Sequence, residues 1–151
     1  MYRWMTVLLV GCGLLADAPA IADQLDAPTI QSSGVTVEQA KQILVLVLKH
    51  EKIDTANPHL WIDGPWTDEE TGLPFLAGHY HFGIVDNNPG GGRSVTLGQF
   101  SVTILTGDIW QTERCRRFRF PALTVIQKRI TEKTGQPLAT EADAKEELGC
   151  D

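Results

Sequence analysis

His79 and His81, two residues apart, have the spacing for metal chemistry. In an extended segment side chains two apart leave the same face, so two imidazole nitrogens can address one ion such as zinc. His50 and His59 offer further ligands, and Asp63, Asp68, Glu69 and Glu70 complete a site if the loop that carries them folds back. The rest of the usual zinc pattern is missing, with no HExxH helix and no cysteine pair at zinc spacing. A histidine pair on the solvent face of an amphipathic sheet is also common and inert. A metal-binding protein or metal-dependent hydrolase using His79 and His81 is therefore the alternative reading.

Templates for nucleophilic and phosphate chemistry fail more plainly. There is no GxSxG elbow and no suggested Cys–His pairing. Gly90 to Gly92 lead into Arg93 and not into a GK[ST] segment, so they form no P-loop. Glu69 and Glu70 are adjacent and point oppositely on a strand, which makes no acid/base pair. No residue receives a catalytic role, and the chain reads as a binder sooner than as an enzyme.

Recognition suits the remaining polar and aromatic residues better. Trp61 and Trp66 bracket the Asp63-Gly64-Pro65 turn, and the acidic tip Asp68-Glu69-Glu70 follows. Rigid aromatics beside an acidic loop serve protein interfaces, although both tryptophans can equally cap a core beneath a long loop. Arg114, Arg116, Arg117 and Arg119 fall within six residues. A charged strand edge that discourages further pairing accounts for them; the functional account is a patch, with Arg116 and Arg117 in it, that docks an acidic partner. A third reading is a small-ligand binder with a closed apolar pocket between the first helix and the sheet.

The elements that must position these residues follow from periodicity. Thr36 caps a helix and Gln39 completes a capping box, with Val37, Ala40, Leu44, Val47 and Leu48 on the apolar face. The β-branched content of Ile43 to Leu48 leaves a strand as the competing assignment. Leu60 to Ile62 is a short strand, and Asp63 to Pro74 is loop. Leu76 to Val85 alternates, placing Tyr80, Phe82 and Ile84 on one face and His79, His81 and Val85 on the other. A turn cluster at 87 to 92 leads to a second long strand, Val95 to Leu105, and Thr106-Gly107-Asp108 turns into Ile109-Trp110-Gln111. Pro121 opens a helix stopped by Gly135 and Pro137, and Thr140 caps a short acidic one. The expected fold is α+β: an N-terminal helix on a three- to four-stranded antiparallel meander, then one or two C-terminal helices, with all helices on one face.

The first residues give an address. Arg3, an apolar run from Met5 to Leu15, and Ala20-Ile21-Ala22 have the layout of a secretory signal peptide cleaved after Ala22. That divides the chain into a leader, 1–22, a flexible mature N-terminus, 23–35, and one α+β domain, 36–151. Leu9-Val10-Gly11-Cys12 also resembles the lipobox of bacterial lipoproteins, so a lipoprotein anchored through Cys12 is the alternative. The apolar run is too short to span a membrane, so no stable span is expected after leader removal. The remaining cysteines, Cys115 and Cys150, suggest one structural disulfide in an oxidising compartment, periplasmic or secreted. A net charge of -6 with few clustered lysines makes the chain a poor candidate for binding nucleic acid or anionic lipid, and no nucleic-acid partner is expected.

A helix beginning near Val37, a strand with an aromatic-x-aromatic core, and a strand ending in Thr106-Gly107-Asp108-Ile109-Trp110 together resemble the PepSY domain and its relatives. The arrangement is also similar to small cystatin-like immunity proteins that protect bacteria from secreted toxins. The resemblance implies a non-catalytic module, an immunity protein or enzyme inhibitor, whose partner is another protein such as a toxin or a cell-wall enzyme. No cofactor is implied, zinc at His79 and His81 being the exception held open above. The expected mechanism is steric, with the Trp-bearing acidic loop or the Gly-rich turn covering a partner's cleft.

Overall fold

The structure is a computed structural model and describes residues 30–87 and 92–150. The leader, its cleavage site, Cys12 and the centre of the Gly-rich turn lie outside the described residues.

Helix α1 runs over Val37–His50, and its capping box forms as the sequence requires. The Thr36 hydroxyl accepts from the Gln39 backbone N–H, and the Gln39 side chain accepts from the Thr36 N–H. This cap and the wide apolar stripe settle the competition with a strand. Ala40, Ile43, Leu44, Val47 and Leu48 are all buried, and each large aliphatic side chain taken from water contributes about 1.5–3 kcal/mol.

Five antiparallel strands follow in chain order across one sheet: β1 (Leu60–Asp63), β2 (His79–Asp86), β3 (Val95–Thr103), β4 (Ile109–Gln111) and β5 (Arg116–Arg117). The meander is thus wider than expected, because two of the clustered arginines form a last short strand on β4. β2 starts at His79 and not at Leu76, since the His79 N–H is spent on the Leu76 carbonyl in a turn. Phe82 lies opposite Phe100 and Tyr80 opposite Val102. Phe82, Ile84, Phe100, Val102 and Ile109 face the core beneath α1 and α2 (Pro121–Thr134), where α2 adds Leu123, Ile126 and Ile130.

Two expectations are corrected here. From Ile30 onward the segment read as a flexible N-terminus is packed. Ile30 and Val35 are core residues, and the Val35 N–H donates to the Ile104 carbonyl at 2.9 Å. The helices also do not share one face. α3 (Glu141–Glu147) brings Glu147 to His79, on the side of the sheet opposite α1 and α2. That side carries Trp110, only 1% exposed, so it needs a cover of its own. Seven residues are too few for a stable isolated helix; the Cys115–Cys150 disulfide fixes the chain beyond α3 to the corner before β5.

Candidate protein-docking site

The uncovered part of that second face begins at Trp61, which is 54% exposed on β1. The chain then turns through Gly64 and Pro65. Gly64 has φ +114°, and a Cβ there would lie 2.6 Å from the His81 carbonyl oxygen, so only glycine fits. Trp66 follows and is clamped. Its backbone N–H donates to the His81 carbonyl at 2.9 Å and its indole N–H donates to Asp63 at 3.0 Å. Its ring lies on Gly83, where a Cβ would stand 2.8 Å from the indole. Trp66 and Asp63 therefore position the loop, while Trp61 is left exposed.

Beyond Trp66 the loop closes on itself. Thr67 bridges Pro74, the Asp68 N–H donates to the Leu73 carbonyl, and Gly72 returns a bond to the Asp68 carbonyl. The Asp68 carboxylate accepts from the backbone N–H groups of Thr71 and Glu70 and from the Thr71 hydroxyl. The Thr71 bonds foremost hold its pKa below the usual carboxylate value. Asp68 is thus the internal brace of the tip, and Glu69 and Glu70 are exposed beside it. The same tip presents two residues the sequence reading passed over, Leu73 at 64% and Phe75 at 65% exposure. Their signal was the apolar pair flanking Pro74 inside an otherwise polar loop. A preformed loop with large apolar side chains in water loses little freedom on docking, which is what makes such groups effective anchors.

His79 and His81 do leave one face of β2, with ring centroids 6.1 Å apart. His79 is buried, not solvated as a surface pair would be. Its Nδ1 pairs with the Ser101 hydroxyl at 2.8 Å. Its Nε2 lies 3.2 Å from Glu147 Oε1, within ion-pair distance but out of line for a hydrogen bond. The order Ser101–His79–Glu147 has the connectivity of a nucleophile, base and orienting carboxylate. Ser101 is only 1% exposed in the middle of β3, so no acyl group reaches its oxygen; the chain of contacts ties β2, β3 and α3 together. Burial, with His79 adding to it, pushes the His81 pKa below its ordinary value. His50 is elsewhere, stacked on Phe120 at 3.9 Å. Among the described residues no three His, Cys, Asp or Glu side chains converge on a metal position.

The arginines divide differently from the sequence reading. Arg117 is a core residue, its side chain 4% exposed. It donates to Asp108 at 2.9 Å and to the Ala139 carbonyl at 3.1 Å, beside Trp110. Asp108 also accepts from the Trp110 indole N–H at 3.0 Å. The Arg117 guanidinium is thereby spent inside the fold. Arg116 makes a two-bond pair with Glu51, at 2.7 and 2.9 Å, which joins β5 to the end of α1. That pairing is the main reason the Glu51 pKa falls below the usual carboxylate value.

Fold and site together define a small α+β domain that presents a braced loop with exposed apolar and acidic side chains. The same fold occurs in a chain of a type VI secretion system effector–immunity complex from Pseudomonas protegens, with a TM-score of 0.77. That chain is 38% identical, and the match covers 84% of the present chain and 98% of it. The present chain belongs to the family of that protein. No known family profile matches, so the PepSY likeness gains no support there, and no curated protein matches. No helix among the described residues is long and apolar enough to cross a membrane.

Proposed function

We propose that the protein is an immunity protein that binds a toxic effector after export to the periplasm. The observation that carries this is its membership of a family with a chain in an effector–immunity complex. Two features favour the immunity side of such a pair. The serine of the triad-like constellation among the described residues is buried, Ser101 being 1% exposed, and the most exposed large apolar groups, Leu73 and Phe75, sit on a braced loop. The single disulfide agrees with an oxidising compartment. In this reading Trp61, Leu73 and Phe75 are the anchors, and Glu69 and Glu70 steer a basic partner surface towards them. Inhibition is steric: the loop from Asp63 to Phe75 occupies the partner's cleft.

The test is capture of the partner from periplasmic extract, identification by mass spectrometry, and calorimetry with the purified pair. Replacing Leu73 and Phe75 together by Ala is expected to weaken binding at least a hundredfold with an unchanged melting temperature, about 2.7 kcal/mol or more across two anchors. Trp66→Ala with Glu69→Ala is expected to weaken it through loss of the brace. Equal affinity in both variants removes this loop from the interface.

A further inference from the structure

Away from the acidic loop, the end of α1 and the segment 114–120 enclose a groove of about 420 Å3. Its floor is aromatic. Phe118 is buried, and the Phe120 ring is fixed by its stack on His50. Four arginines line it, Arg114, Arg116, Arg117 and Arg119, of which Arg117 is committed to Asp108 and the Ala139 carbonyl. Arg116 is committed to Glu51 and lies 4.7 Å over the Phe118 ring. Arg114 and Arg119 are exposed, and neither side chain has an ion pair or hydrogen bond among the described residues. The groove's carboxylates are already engaged, Glu51 by Arg116 and Glu141 by Lys145 at 3.2 Å.

The backbone that presents these groups is rigid. Cys115, between Arg114 and Arg116, is held at φ +46°, in the left-handed region that non-glycine residues seldom adopt. The disulfide to Cys150 anchors it there. Among the described residues β5 is the last strand of the sheet, and no further strand pairs with its outer edge. An unpaired edge beside exposed arginines and an aromatic floor is the equipment for holding an extended peptide: backbone to the edge, carboxylates to guanidiniums, apolar side chains to the rings. In a chain of net charge -6 this groove gathers positive charge that attracts an acidic segment.

We propose that this groove is a second docking site, separate from the acidic loop, and that it takes an extended acidic segment of a protein. Arg114 and Arg119 bind its carboxylates, and Arg116 with Phe118 and Phe120 forms the bed.

The probe is a fluorescein-labelled peptide of ten residues alternating glutamate and leucine, compared with its glutamine counterpart, against the purified disulfide-closed protein. Anisotropy is expected to show saturable binding of the glutamate peptide that weakens as salt is raised, and at least tenfold weaker binding by R114Q/R119Q. R114K/R119K keeps the charge without the two-pronged geometry and is expected to fall between. Replacing Leu73 and Phe75 by Ala leaves peptide binding unchanged, since those residues belong to the other surface. Thermal melts establish that each variant is folded. Absence of saturable binding, equal binding by R114Q/R119Q, or equal binding of the glutamine peptide overturns the proposal. Complete displacement of the peptide by an equal concentration of inorganic phosphate also overturns it, and makes the groove a site for small anions.

Discussion

Arg117→Met tests the claim that Arg117 belongs to the core and not to an interface. In the wild type both Asp108 carboxylate oxygens are served, one by the Arg117 guanidinium at 2.9 Å and the other by the Trp110 indole at 3.0 Å. Both side chains of the ion pair are 4% exposed. Methionine nearly fills the arginine stem's volume but leaves a buried carboxylate with only the indole, and it strips the Ala139 carbonyl of its donor. Breaking one side of a buried pair costs about 3–5 kcal/mol, because the remaining charge is left in a poor solvent. Removing both charges at once, D108L/R117M, leaves neither, so the double variant is expected to cost less than the sum of the singles by about 2 kcal/mol or more. Urea unfolding followed by tryptophan fluorescence measures all four corners of the cycle. A cost below about 1 kcal/mol for R117M, or strictly additive singles, would refute the assignment of a buried, mutually dependent pair. The same variant, once folded, is expected to bind its protein partner with native affinity.

Other perturbations reach the remaining structural claims. Cys115→Ser opens a loop with 35-residue separation; it is expected to cost about 4 kcal/mol in the chain-entropy account, and hydrogen exchange should accelerate first in α3. Gly83→Ala places a methyl 2.8 Å from the Trp66 ring, so an overpacking cost of about 1–3 kcal/mol and a shifted Trp emission are expected; an unchanged spectrum and stability would show that the indole does not rest there. His81 has its pKa pushed below 6.5 by burial, so the unfolded chain takes up a proton more readily than the folded one. Its contribution is complete above that value and is lost as pH falls from 6.5 towards the folded pKa. His81→Phe is accordingly expected to flatten the stability profile over that range in urea titrations, and an unaltered slope would count against the assignment.

The local elements were legible because their signals are local. Thr36 with Gln39, Pro121 with Gly135, and the alternation through Tyr80, Phe82 and Ile84 each act over a few residues, and each forms as the sequence requires. The disulfide was legible by counting. Contacts distant in sequence were not. Arg116 and Arg117 are neighbours of one residue type, yet one meets Glu51 and the other Asp108; alternation puts them on opposite faces, but nothing within the segment says which face is covered. The same holds for His79, which looks like a surface histidine until α3 crosses the second face and buries it. The proposed docking loop was half visible: Trp61, Trp66 and the acidic tip stand out by composition. The separation of roles, Trp66 and Asp68 as braces and Leu73 and Phe75 as exposed anchors, depends on which groups the fold leaves in water. Sequence by itself determined the elements, their order and the oxidative staple, because short-range sterics and periodicity suffice for those. Tertiary structure alone decided which charges are buried, which arginines are free and which aromatics are presented, because burial is settled by residues far away along the chain.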